Sequence, residues 1–149
     1  MDILEIKDLE KLAKRRVPKM FFDYVNSGSW TESTYRDNIN DFSKIKLRQR
    51  IAVDMTDRKL SSKMAGIDVS MPLALAPTGL TGMQHADGEI LAAQAAEEFG
   101  VPFTLSTMSV CSIEEVAKHT KNPFWFQLYV MRDKNFMERL IESFKSDES

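Results

Sequence analysis

Three times in the second half of this chain a short apolar run is followed by a helical pattern, and that alternation limits the available folds more than any other feature. Leu73-Ala74-Leu75-Ala76 stops at Pro77. A helix follows, with Ala92, Ala95, Ala96 and Phe99 on one face and Gly100 just past its end. Next comes Val101-Pro102-Phe103-Thr104-Leu105, then a helix opened by Ser112-Ile113-Glu114-Glu115, a capping box in which Ser and Glu each satisfy an orphan backbone N–H. The third run, Phe124-Trp125-Phe126-Gln127-Leu128-Tyr129-Val130, precedes a helix striped by Met137, Leu140, Ile141 and Phe144. Strands buried on both faces and alternating with helices imply an α/β fold, a parallel sheet covered by helices. Open doubly wound sheets and (β/α)8 barrels both begin this way. No Gly-x-Gly-x-x-Gly follows the first run, which removes support for dinucleotide binding in the Rossmann manner, and no Walker loop, zinc spacing or Gly-x-Ser-x-Gly elbow is present.

Residues 1–72 read as a separate helical and short-strand segment, with 73–149 as the strand–helix part. Leu9, Leu12 and Ala13 form one apolar stripe, and Phe21, Tyr24 and Val25 another. Pro18 suits the first turn of the second helix, and Asn26-Ser27-Gly28-Ser29 ends it. A third, polar helix is expected over about 32–41, then β-like pieces at Ile51-Ala52-Val53 and Ile67-Asp68-Val69. Three parallel strands leave two open edges, whereas a closed barrel needs eight strands and roughly 250 residues. With the last helix ending near Ser146-Asp147-Glu148-Ser149, the expectation is a piece of a longer protein.

A net charge of −2 gives no electrostatic reason to expect nucleic acid. Lys44, Lys46, Arg48, Arg50, Arg58, Lys59 and Lys63 outnumber Asp54 and Asp57 locally. A solvated basic surface is the ordinary reading, and an anionic membrane surface or a partner the other. The single cysteine, Cys111, rules out an intramolecular disulfide and fits a reducing compartment. The start, Met1-Asp2-Ile3-Leu4-Glu5, carries acids where a signal peptide carries basic and apolar residues. No apolar run approaches the ~20 residues that span a bilayer. The expected location is cytoplasmic, or peripheral on the inner face of the cytoplasmic membrane.

In parallel α/β folds, ligands meet the C-terminal ends of strands. That rule selects Pro77-Thr78-Gly79 after the first run, Ser106-Thr107 after the second, and Gln127 and Tyr129 in the third. Polar groups there can hold a flat ligand with a polar edge, and Gly79 lets a ring approach the backbone. Each also has a plain structural role open to it: Ser106 and Thr107 as turn formers, Gln127 as a satisfied amide, Tyr129 as a wall residue.

Tyr24 in the second helix, Leu47-Arg48-Gln49-Arg50, Ala76-Pro77-Thr78-Gly79, Leu105-Ser106-Thr107, Ser112-Ile113-Glu114-Glu115 and Trp125-Phe126-Gln127-Leu128-Tyr129 occur in that order. The series resembles the FMN-dependent α-hydroxyacid dehydrogenase/oxidase family. Phe103-Thr104-Leu105-Ser106-Thr107 followed by Ser109-Val110-Cys111 leans toward its respiratory L-lactate dehydrogenase branch. The resemblance implies a (β/α)8 TIM barrel, of which this chain would hold the N-terminal helices and about the first three βα units. It implies oxidation of an L-2-hydroxyacid, L-lactate to pyruvate first, with FMN as cofactor and a quinone, cytochrome or oxygen as electron acceptor. It also implies homo-oligomers of the full-length protein and no metal.

Pro77, Thr78 and Gly79 would then pack against the flavin, and Ser106 and Gln127 would hydrogen-bond its polar edge. Tyr24 would bind the substrate carboxylate, although it also fits the Phe21–Val25 stripe. Tyr129 would contact the substrate as its C2–H bond breaks. The family's catalytic histidine has no counterpart here. His85 and His119 sit at the start and end of helices, where solvent-facing or capping roles are expected. The competing readings are a glycolate, mandelate or other 2-hydroxyacid enzyme, and a short binding or assembly protein without catalysis.

Overall fold

The computed structural model describes residues 3–146. Met1-Asp2 and residues 147–149, on which part of the reading of the two chain ends rests, lie outside the described residues. The chain divides into two compact units, Met1–Arg58 and Lys59–Ser149.

The first unit is helical. Helix α1 (Ile6–Arg16) begins where the Asp8 carboxylate accepts the Leu4 amide at 3.2 Å and pairs with Lys11 at 2.8 Å. It ends on Lys14, Arg15 and Arg16, cations that suit the negative end of the helix dipole. Pro18 directly precedes α2 (Lys19–Val25), and Asn26 closes it. The expected stripe of α2 is displaced: Phe22 is buried, whereas Tyr24 and Val25 are exposed. Helix α3 (Ser33–Asn40) matches the polar helix expected there and runs into a 3-10 turn at Asp41–Lys44. Ile51-Ala52-Val53 is not a strand. Ala52 adopts φ +57°, a left-handed conformation that breaks an extended run.

The second unit opens with a hairpin, β1 (Ser62–Met64) and β2 (Ile67–Val69), paired antiparallel. Its two-residue turn, Ala65-Gly66, has φ of +48° and +86°, and positive φ at both turn residues matches the right-handed twist of the flanking strands. The sequence reading anticipated β2 but not its partner. The unit boundary also falls at 58/59, ahead of the 72/73 expected, because the hairpin leads into the strand–helix layers. Val69 is buried, the Ser70 amide donates to the Gly100 carbonyl at 2.9 Å, and its hydroxyl donates to the Phe99 carbonyl.

The expected alternation follows. The first apolar run makes only one parallel bridge, Leu75 to Phe103, before α4 (Thr81–Gln84) and α5 (Gly88–Phe99). Strands β3 (Thr104–Ser106) and β4 (Trp125–Gln127) pair in parallel, with Leu105 opposite Phe126 and Ser106 opposite Gln127. Between them lies α6 (Ile113–His119), and α7 (Lys134–Ser146) follows β4. The capping box of α6 is formed: Ser112 Oγ accepts the Glu115 amide at 3.2 Å while Glu115 accepts the Ser112 amide at 2.7 Å.

Because side chains alternate along a strand, Phe103, Leu105 and Phe126 share one face, and Thr104, Ser106, Trp125 and Gln127 share the other. The first face meets the helices. Its core joins Phe103 and Leu105 to Ile90, Ala93 and Ala96 of α5 and to Ile113 and Val116 of α6, with Phe124, Phe126 and Phe144 packed alongside. The expected α5 stripe needs correction: Ala96 and Ala92 belong to the core, but Ala95 and Phe99 are exposed, and the buried line runs through Glu89, Ile90, Ala93 and Ala96. On α7, Met137 is buried and Leu140 and Phe144 pack on the core, while Ile141 lies at the edge.

Leu105, with no exposed surface, fixes this layer. Leu105→Ala should lower the unfolding free energy by about 2–5 kcal/mol in a urea titration, against under ~1 kcal/mol for Leu91→Ala on the open side of α5. Equal losses would mean that the core lies elsewhere.

Candidate functional site

Strands only three residues long make few ladder bonds, so the loops at their C-terminal ends must be fixed by other contacts. After β3 the chain turns at once. The Thr107 amide donates to the Gln127 carbonyl at 3.1 Å, extending the strand pairing by one residue. The Thr107 hydroxyl donates to the same carbonyl and accepts the Tyr129 amide at 3.0 Å, which anchors the exit of β4 to the exit of β3.

Ser106 sits one residue earlier and is buried. Its hydroxyl donates to Gln127 Oε1 at 3.1 Å and accepts the Met108 amide at 3.1 Å. The Ser106 donor and one of its two acceptor positions are thus used inside the protein, and the Gln127 side chain is oriented by its carbonyl end. The Gln127 Nε2 group has no hydrogen-bond partner among the described residues. A serine and a glutamine side by side at adjacent strand ends, with an amide donor left over, can serve an acceptor on the edge of a flat ligand.

The loop after the first run packs against Met108 and reaches Ser106. A Cβ placed on Gly79 would come within 3.1 Å of Met108 Cβ and 3.8 Å of Ser106 Oγ, so the absent side chain lets the first loop press against the second. The Leu80 amide donates to the Met108 carbonyl at 2.9 Å. Leu80 itself holds φ +59°, an unfavourable conformation for a γ-branched residue that the surrounding contacts must maintain. Thr78 accepts the Thr81 hydroxyl at its carbonyl, 3.0 Å away. Together Thr78, Gly79, Ser106 and Gln127 gather at one end of the parallel strands, with Pro77 leading into the same loop. Tyr129, 46% exposed, stands just beyond β4 on this side. Tyr24 belongs to the first unit, where it is 67% exposed rather than part of a buried stripe.

His119 and the exposure of both histidines are as expected, but His85 stands at the end of a helix rather than at a start. His85 closes α4 with Nδ1 paired to the Ala86 carbonyl, and His119 ends α6 with Nδ1 paired to the Glu115 carbonyl, both exposed. Among the described residues no group of histidine, cysteine and carboxylate side chains could hold a metal ion, and no helix is long and apolar enough to cross a membrane.

One residue at this end escaped the sequence reading. Glu89, 2% exposed, projects from the first turn of α5. Its Oε1 accepts the Gly82 amide and the Val110 amide, each at 3.0 Å, while Oε2 has no hydrogen-bond partner. Gly82 leaves room for it: a Cβ there would sit 3.1 Å from Glu89 Oε2 and 2.7 Å from Val110 Cβ, while the bare Gly88 lets the start of α5 press against Thr81. Burial pushes the carboxyl toward the neutral form, but the Val110 and Gly82 amides and the Cys111 thiol beside it pull harder, so its pKa lies below the ordinary 4.5. The spacing of Glu89 from Ala93 and Ala96 (i, i+4, i+7) was the available signal. An acid in a first turn reads more naturally as an exposed dipole partner.

Comparison with known proteins adds to this geometry. Residues 13–148 match the FMN-dependent dehydrogenase family. The chain is 47% identical over 146 residues to an L-lactate dehydrogenase of Acinetobacter baylyi, which takes in 98% of this chain and 38% of that protein. It is 50% identical over 135 residues to an L-lactate dehydrogenase of Stenotrophomonas maltophilia, 91% of this chain and 36% of that one. Among solved structures, a soluble mutant of the membrane-associated (S)-mandelate dehydrogenase from Pseudomonas putida superposes with a TM-score of 0.91 at 34% identity, over 98% of this chain and 42% of that chain. The chain therefore spans well under half the length of the curated relatives it matches.

Since the Glu89 pKa is depressed on folding, its contribution to stability is present above about pH 4.5 and is lost as pH falls through the folded value. The stability gap between the wild type and Glu89→Gln should be constant at neutral pH and shift against the wild type on titration below about pH 4.5. A gap independent of pH from 7 to about 3 would mean that Glu89 has the same pKa folded and unfolded.

Proposed function

This chain belongs to the FMN-dependent dehydrogenase family, and from that premise we propose that it forms the N-terminal part of a (β/α)8 barrel that oxidises an L-2-hydroxyacid, L-lactate to pyruvate before other substrates. The observation that carries the reading is the Ser106–Gln127 pair on neighbouring strand ends, with the Gln127 amide donor without a partner among the described residues and Gly79 close to Ser106. The residues present fit a flavin. A hydroxyl and a carboxamide lie together, one donor is spare, and the Gly79 backbone can approach a ring without a side chain between them. The 38% and 36% coverage of lactate dehydrogenases supports the place of these residues in a longer barrel.

Bound FMN would supply the two-electron acceptor that no side chain can provide. The chain's own residues bind and orient. Ser106 and Gln127 hold the polar edge of the ring, and the Pro77-Thr78-Gly79 backbone packs against its face and keeps water from it. Tyr129, whose amide is fixed by Thr107 Oγ1, offers its hydroxyl to the substrate oxygen that loses a proton. Tyr24 binds the substrate carboxylate. The general base would be a histidine from the rest of the barrel; His85 closes α4 and His119 ends α6, each exposed with Nδ1 paired to a backbone carbonyl.

The electron acceptor would be a quinone, cytochrome or oxygen, and the working form a homo-oligomer. Peripheral attachment to the inner face of the cytoplasmic membrane is supported by the exposed basic stretch from Lys44 to Lys63 and by the similarity to a membrane-associated mandelate dehydrogenase.

Loaded anaerobically with FMN, the protein expressed from its complete reading frame should lose its flavin absorbance on addition of L-lactate, faster than with glycolate or mandelate. Reduction by NADH but by no 2-hydroxyacid would sink the assignment. Tyr129→Phe should lower kcat/KM for L-lactate roughly tenfold to a hundredfold, the size of a lost hydrogen bond to a charged partner, with FMN affinity unchanged.

A further inference from the structure

Helix α5 carries a carboxylate at each end that accepts two backbone amides from neighbouring loops. At its C-terminal end Glu97 Oε1 accepts the Lys121 and Asn122 amides, both at 2.8 Å, on the side away from the candidate site. At its N-terminal end Glu89 Oε1 accepts the amides of Gly82 and Val110. Gly82 follows the Thr78–Gly79 loop by three residues, and Val110 follows Ser106 by four. One buried oxygen atom therefore joins the two segments that present Gly79 and Ser106. Further ties between them include the Leu80–Met108 backbone bond and the close contacts of Gly79 with Met108 and of Gly82 with Val110. Thr78, Thr81, Ser106 and Glu89 also line a cavity of about 260 Å³, together with Leu75, Ala92 and Leu105.

We infer that Glu89 is a positioning residue for the flavin: it sets the spacing of the Gly79 and Ser106 loops and so governs FMN affinity without touching the cofactor. The inference rests on the flavin reading above. Its chemistry makes a sharp distinction between substitutions. Because both amides converge on Oε1, the carbonyl of a glutamine can accept both, with its NH2 placed where the unpartnered Oε2 now lies. A methionine fills the same volume and accepts neither.

The test compares Glu89→Gln, Glu89→Met and Glu97→Met in the full-length protein, reading FMN affinity and the visible flavin spectrum alongside Tm. Amide exchange at Gly82 and Val110 is measured without FMN. Glu89→Gln should keep FMN affinity within about twofold of the wild type, with an unchanged spectrum and protected amides. Glu89→Met should weaken FMN tenfold or more, alter the flavin band and expose both amides. Glu97→Met should lower Tm by a similar amount yet leave FMN affinity and spectrum alone. Equal loss of FMN in both methionine variants, or unchanged affinity in Glu89→Met, would overturn the inference, as would failure of Glu89→Gln to bind. Should Glu89→Met not fold, Glu89→Asp, too short to reach both amides, takes its place with the same expectations. If the wild type itself binds no FMN, the functional reading falls, and the exchange data then show Glu89 joining the loops for structural reasons alone.

Discussion

Two backbone amides from different loops converge on one oxygen of a carboxylate that water scarcely reaches, and the upper end of the second unit is organised around that meeting. Burying a carboxylate costs several kcal/mol unless strong donors replace its hydration, and amide N–H groups directed at an anion are such donors. Here the replacement is local: Gly82 and Val110 donate, Gly82 has no side chain that would occupy the space, and the Cys111 thiol lies alongside. The strands themselves are three residues long, and the first run holds on through one bridge. Side-chain-to-backbone bonds from α5 therefore do work that long ladders do in larger sheets, at Glu89 above and Glu97 below.

The two ends of the sheet differ in what those bonds permit. Below, Glu97 takes up the Lys121 and Asn122 amides and closes the turn ahead of β4. Above, the loops are joined to each other, while Gln127 Nε2 at the end of β4 has no hydrogen-bond partner among the described residues. That asymmetry is the usual division in parallel α/β folds, where one end of the strands serves stability and the other carries the chemistry.

The strand–helix alternation was legible because its signals are local. Apolar runs, Gly100 past a helix and the Ser112–Glu115 capping box each have a meaning within a few residues, and the structure bears them out. Candidate residues at strand ends could be chosen from the same pattern, and Ser106 and Gln127 do meet. What stayed hidden depends on distance in sequence. The hairpin partner Ser62–Met64 has no alternation of its own. Ile51-Ala52-Val53 looked extended until Ala52 turned left-handed. The α5 stripe was misread by one face, because the small alanines around the helix give no contrast. Glu89 was invisible for a different reason: its donors come from residues seven positions before it and twenty-one after it, and composition treats every glutamate as a surface residue.

The neighbourhood of Glu89 also decides how the chain's single thiol behaves. Burial first, and then the adjacent carboxylate, hold the Cys111 thiol above its ordinary 9.0, so near neutral pH it carries its proton almost entirely. Alkylating agents and peroxides attack the thiolate, not the thiol. Such reagents should therefore modify Cys111 slowly near neutral pH.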